Sequence, residues 1–302
     1  MNLPELSIVV PVGPEDSISG FLDSLATQTF RDFELLPEYE GNSEEAKAYG
    51  IIKARGKIIA FFCTDNRLVD PLFLSDMVYA MEDEQLTGAY PARYDHHWLD
   101  PSLTRYFALI GDNDPLCVWL GKNDRQGYWD EPTEKTLFLR DAIGSVGDNG
   151  FFVRASLIKS VVTNPKLHFC IDAVEDLRVK GHYTYKVVGH LTVGHLTGDS
   201  LVAYLRRRLK YIRSLYFERL SDRRWRMVDN LGDWFLSIWF AMASLLIFPH
   251  IATAMRGFHR VRDWAWFWHP VICWVMTCLY VYLTISHLWR RWLSRRTNAQ
   301  KV

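Results

Sequence analysis

Two stretches late in the chain, residues 234–255 and 264–288, contain no Asp, Glu, Lys or Arg. This feature constrains the fold most, because uncharged apolar runs of such length do not lie on a water-exposed surface. Each is long enough for a hydrocarbon core of about 30 Å. Tryptophans crowd their ends, at Trp234, Trp264, Trp266, Trp268, Trp289 and Trp292, as in an interfacial belt. Pro249 and Pro270 are tolerable in lipid, where neighbouring groups satisfy the freed carbonyls. The expectation is a transmembrane hairpin, spans 234–255 and 264–288, within residues 233–302. Basic residues precede the first span, and Arg290, Arg291, Arg295, Arg296 and Lys301 follow the second. Both flanks are therefore expected on the cytoplasmic side of a cell membrane, in a multi-pass protein. The connector RGFHRVRD carries Arg256, Arg260 and Arg262, which also permits a re-entrant or shallow hairpin.

The other end reads differently. A chain of 302 residues with 49% hydrophobic content holds one α/β domain of about 200 residues plus an appendage. LSIVVPV, at 6–12, is a buried-strand pattern. Ile18, Phe21, Leu22 and Leu25 then recur at helical spacing. Residues 33–36 read as a strand, 44–54 as a helix and 57–62 (KIIAFF) as a third strand. Such alternation predicts a mostly parallel, doubly wound sheet. Ligands then bind at the carboxyl ends of the strands, here 11–15, 37–40 and 63–66. This α/β domain is expected over residues 1–200. No secretory leader is expected, since the first strand begins within a few residues of Met1.

Formal net charge is zero, but its distribution is uneven. Between 201 and 232 lie Arg206, Arg207, Arg208, Lys210, Arg213, Arg219, Arg223, Arg224 and Arg226, opposed only by Glu218, Asp222 and Asp229. This segment reads as basic, amphipathic and juxtamembrane, lying against anionic headgroups. No nucleic-acid partner is expected, because no recognition motif accompanies the charge. The five cysteines form no CxxC pair, which argues against a disulfide framework or a structural zinc site.

Several blocks together resemble family 2 glycosyltransferases of the GT-A fold. They are LSIVVPVGPEDSISGFLDSLATQTFRDFELL, AKAYGIIKARGKIIAFFCTDN, GDNGFFVRASL and VGHLTGDSLVAYLRRRLKY, in order over about residues 5–212. The membrane end adds a similarity to polyprenyl- and dolichyl-phosphate sugar transferases. The resemblance implies an inverting transferase that moves a sugar from a nucleotide sugar to a lipid acceptor, a polyprenyl phosphate or lipid-linked glycan. It implies Mg²⁺ or Mn²⁺ on the leaving diphosphate, with Asp65 and His195 as ligands. Nucleotide-sugar contacts are expected from Pro11, Val12, Glu15, Tyr39, Glu40, Lys47, Thr64 and Asp65. Asp148 and Asn149 are expected to shape the acceptor or sugar pocket, and Arg206, Arg207 and Arg208 to hold an acceptor phosphate. The catalytic base is expected among Asp172, Glu175 and Asp176; for a phosphate acceptor that carboxylate need only orient. Residues 111–125 read as an insertion over the sugar pocket.

Two departures stand out. Cys63 replaces the first acid of Asp-x-Asp, leaving Cys-Thr-Asp-Asn, and a neutral thiol is a poor ligand for a hard cation. Tyr39-Glu40-Gly41-Asn42 stands where Asp-Asp-Gly-Ser is usual. Two alternatives follow: a membrane-bound polysaccharide or glycolipid transferase with another acceptor, or a degenerate, non-catalytic membrane scaffold. The Gln-x-x-Arg-Trp signature of processive synthases is absent. A second copy or partner protein completing the membrane portion stays open.

Overall fold

The computed structural model describes residues 3–129, 131–140, 144–198 and 200–299. Lys301 lies outside them, as do the side chains of Arg291, Arg295 and Arg296. The first half comprises β1 (Leu6–Pro11), α1 (Ser19–Ala26), β2 (Phe33–Glu38), α2 (Ser43–Lys53), β3 (Ile58–Phe61), β4 (Asn66–Leu68), α3 (Phe73–Ala80), β5 (Gly88–Tyr94) and α4 (Ser102–Ile110). Then come α5 (Pro115–Trp119), β6 (Lys135–Phe138), β7 (Phe151–Arg154), α6 (Ala155–Lys159), α7 (Cys170–Val179) and β8 (Thr184–His195). The C-terminal part holds α8 (Leu201–Tyr211), α9 (Leu231–Leu246), α10 (Phe248–Arg260) and α11 (Trp268–Ala299).

The sheet runs β2-β1-β3-β7-β5-β8-β4, with β6 also paired to β8. β1 is parallel to β2 and β3, as the alternating pattern predicted. Beyond β3 the sheet is mixed: β7 runs antiparallel to β3 and β5, and β5 runs parallel to β8. Every residue of β1 is buried. Ile8 and Val10 join one core, with Phe62 and Phe73, and Val9 joins the other, with Ile59 and Phe151. A strand covered on both faces has no polar side, which is why LSIVVP reads as a continuous apolar run. Asn42 caps α2, its side chain accepting the Glu44 and Glu45 amides at 3.0 and 3.2 Å, an arrangement typically worth about 1 kcal/mol. Gly50 lets α2 lie close on β1; a Cβ there would meet Val9 Cγ1 at 2.4 Å.

The first expected span is not one straight helix. α9 and α10 meet at 88° about Ile247, whose φ of 65° is unusual for a β-branched residue. Pro249 follows within the first turn of α10, where the missing amide is harmless. The second expectation is met by residues Trp264–Arg290, which are long and apolar enough to cross a membrane. α4 and α8 pack against this part through Tyr106, Phe107, Tyr204, Trp266, Ile272 and Met276.

Candidate active site

The carboxyl ends of β1 and β3, the end of β8 and the turn at 148–150 converge. Asp65 follows β3 and His195 ends β8, and the antiparallel pairing of Asn66 with His195 brings them together. Asp65 Oδ2 lies 3.6 Å from His195 Nε2. Asp65 Oδ1 and His195 Nδ1 are buried without a hydrogen-bond partner among the described residues. Tyr94 packs on the imidazole, ring centroids 5.2 Å apart. A carboxylate and an imidazole that face each other at strand ends, each with a further buried atom unsatisfied, fit Mg²⁺ or Mn²⁺ whose other ligands come from a diphosphate or water.

Asn66 does not join them as a ligand. Its Oδ1 accepts the Cys63 amide at 2.7 Å, and its Nδ2 donates to Asn149 Oδ1 and the Gly194 carbonyl. It fastens three segments of the site. Cys63 is half-buried, and its thiol lies 3.6 Å from Asp148 Oδ1. Burial and Asp148 push that thiol well above its usual range, so it stays protonated.

Lys47 is fully buried on α2, its ammonium shared between Glu44, at 2.9 Å, and Asp148. Burial alone would lower the ammonium; Asp148 and Glu44 instead hold it well above its ordinary value. Glu44 also accepts the Cys170 amide at 2.7 Å. Glu44, His168 and Cys170 cluster closely enough to suggest a metal set, but the Lys47 ammonium already supplies the cation. Burial drives His168 down to about 4.

The 111–125 segment makes contacts at both of its ends. At one end Leu116 and Leu120 pack against Phe240 and Cys273, and Trp119 Nε1 donates to the Leu236 carbonyl at 3.1 Å. At the other, buried Arg125 donates to the Asp148 and Asn149 carbonyls at 2.9 and 2.7 Å. Asn149, in the left-handed region at φ 53°, gives its Nδ2 to Tyr94 Oη at 3.0 Å. The segment therefore links the site to the C-terminal helices. Sequence reasoning did not single out Glu44, Tyr94, Arg125 or Asp124, whose carboxylate accepts from Tyr94 Oη; their partners are remote in sequence and no local pattern marks them.

The remaining expected residues fall as follows. Pro11 and Val12 are buried, and Val12 donates its amide to the Glu38 carbonyl at 2.8 Å. Glu15, Tyr39 and Glu40 are exposed at the strand ends, and Thr64 is half-buried. Asp172, Glu175 and Asp176 are each held by arginine. Asp172 is 1% exposed, bonded to Arg223 at 2.9 Å and to the Trp225 amide. Glu175 pairs with Arg178, and Asp176 with Arg224 at 2.6 Å. Asp172 and Asp176 thereby strap residues 223–225 to α7, whereas the Glu175 pair lies within α7 itself. The basic segment thus turns partly inward, because buried or half-buried acids meet it: Arg208 pairs with Asp114, and Arg219 approaches Glu45. Arg206 and Arg207 are exposed on α8.

The mixed α/β fold, with its central sheet, is like that of GT-A-type glycosyltransferases. The solved mannosyltransferase PcManGT from Pyrobaculum calidifontis, in complex with GDP-Man and Mn²⁺, is similar with a TM-score of 0.52 at 10% identity. The likeness covers 96% of this chain and 88% of that one. S. aureus TarS 1–349 in complex with UDP-GlcNAc is a weaker likeness, TM-score 0.42 at 12% identity, covering 95% of this chain and 92% of that one. The chain spans 39% of a longer TarS structure, at TM-score 0.43 and 13% identity. No family model and no curated protein matches the chain.

Proposed function

We propose that this chain is an inverting glycosyltransferase that moves a sugar from a nucleotide sugar to a membrane lipid carrying a phosphate, at the cytoplasmic face of a membrane. The observation that carries the reading is the Asp65–His195 pair, with two buried donor atoms unsatisfied at the strand ends of a GT-A sheet. Bound there, Mg²⁺ or Mn²⁺ would neutralise charge developing on the departing diphosphate. Tyr39 and Glu40, exposed past β2, would serve the base and ribose in this reading. With its ammonium engaged by Glu44 and Asp148, Lys47 would act by fixing Asp148, whose side chain is 27% exposed and suited to bond a sugar hydroxyl.

The acids on α7 are occupied by arginines, which favours a phosphate acceptor. Such an acceptor already carries its negative charge. Its oxygen forms the new bond to the anomeric carbon while the bond to the diphosphate breaks, and no proton need be removed. Arg206 and Arg207 on α8 are the cations offered to the acceptor, while Arg208 serves Asp114. The apolar outer faces of α9 and α10, with Phe235 71% and Phe248 79% exposed, support membrane seating as a bent, re-entrant element beside one crossing helix.

Release of nucleoside diphosphate by the full chain in detergent tests this reading, with a panel of GDP- and UDP-sugars, polyprenyl phosphate, and Mn²⁺ present or absent. Release that needs both lipid and metal, and vanishes in Asp65→Ala, is expected. Equal release onto a soluble sugar would sink the lipid acceptor. Folded protein that binds no donor would favour the degenerate scaffold, for which Cys63 is the supporting observation.

A further inference from the structure

His250, His269 and Cys273 meet at the contact of α10 with α11, all three buried. One ring nitrogen of each histidine and the Cys273 sulfur lie within 4.8 Å of one another. We propose that these three residues bind a zinc ion that fastens α10 to α11, separate from the cation at Asp65.

The arrangement has the parts of a built site. His269 and Cys273 stand four residues apart on α11, one turn above the other on a single face. His250 comes from α10, three residues past the Ile247 bend. Each imidazole is oriented from behind by a hydroxyl: Ser244 Oγ lies 3.1 Å from His250 Nε2, and Tyr106 Oη 3.0 Å from His269 Nδ1. That leaves His250 Nδ1, buried with no partner among the described residues, and His269 Nε2, 3.7 Å from Cys273 Sγ, which lies 3.9 Å from Nδ1 of the same ring. Metal-bound histidines characteristically have their second nitrogen held this way.

Zinc bonds of about 2.0–2.3 Å at tetrahedral angles place ligand atoms about 3.5 Å apart. The three atoms lie within 4.8 Å of one another, so binding would draw them closer by side-chain rotation. Two imidazoles and a thiolate suit zinc rather than the oxygen-seeking Mg²⁺ or Mn²⁺. The surroundings are aromatic: Trp119 and Phe240 pack edge-on to His250 at 5.8 and 5.3 Å. Such walls leave a nitrogen with no other partner costly; with three protein ligands, a water molecule would hold the fourth tetrahedral position. The ion would pin the element after the bend to the crossing helix, and through Trp119 the segment that reaches Arg125.

The test is the metal content of the full chain, purified in detergent under reducing conditions and supplied with Zn²⁺. About one zinc per chain is expected, retained on gel filtration. Cobalt in its place should give a near-ultraviolet thiolate band and the intense visible bands of four-coordination. Cys273→Ser should remove the thiolate band, whereas replacement of the exposed Cys278 by Ser should keep it. Folded wild-type protein that retains no zinc, or a band indifferent to Cys273→Ser, would overturn the proposal and leave an aromatic packing cluster. Both readouts are independent of transferase activity.

Discussion

Replacing Lys47 by methionine tests the electrostatic centre of the site. The ammonium lies 2.9 Å from Glu44 Oε1 and also bonds Asp148, with side-chain exposures of 2%, 8% and 27% respectively. Removing one partner of a buried ion pair typically costs about 3–5 kcal/mol, because the other charge is stranded. Here Asp148 can recover water, whereas Glu44 cannot and keeps only the Cys170 amide. The expected loss is therefore near the low end, about 3 kcal/mol. At about 2–4 °C per kcal/mol for a chain of this size, the thermal midpoint in detergent should fall by about 6–12 °C at pH 7.

The pH dependence has a definite sign. In the native protein burial raises Glu44, but Lys47 and then His168 outweigh it and hold the acid below its ordinary 4.5. That contribution is present above the unfolded value and lost as pH falls through the folded one. In Lys47→Met burial prevails, Glu44 rises above 4.5, and stability is lost as pH climbs. The deficit should thus be smaller at about pH 5 than at about pH 7. Adding Glu44→Gln should recover part of it. A midpoint change under about 2 °C at pH 7, or one indifferent to pH and to Glu44→Gln, would refute this account of Lys47.

Asp172→Asn should lower the thermal midpoint by several degrees by releasing Arg223; unchanged stability with lost turnover would instead restore a catalytic role. Asp112 is pushed to about 8 by burial, then by Asp124 and Asp114. A raised acid gives stability at low pH that fades as pH rises from 3.8 towards about 8, so Asp112→Asn should gain on wild type across that window. Parallel melting profiles would contradict it. Gly50→Ala should cost about 1–3 kcal/mol by overpacking, and Val9→Ala in the same chain should relieve it, as read by thermal melts.

Much of the framework was legible because it is local. A strand buried on both faces must be apolar throughout, and β1 is. An amphipathic repeat followed by another apolar run announces helix then strand, so the parallel β2-β1-β3 half could be read directly. Asp65 was recognisable as the acid closing β3, and the apolar runs as helices for lipid or a core. The antiparallel insertion of β7 beside β3 was not, since pairing partners separated by a long chain leave no periodic trace.

The same limit separates site chemistry from site composition. The sequence alone determined which ionisable groups exist and which stand at strand ends. Only the tertiary structure decided their partners: Lys47 with Asp148 across 101 positions, Asp172 with Arg223 across 51, Tyr106 with His269 across 163. It also decided that the first apolar run bends at Ile247. The physical reason is that burial and run length are set by neighbours along the chain. A buried charge, by contrast, takes its state from whichever opposite charge the closed fold brings beside it.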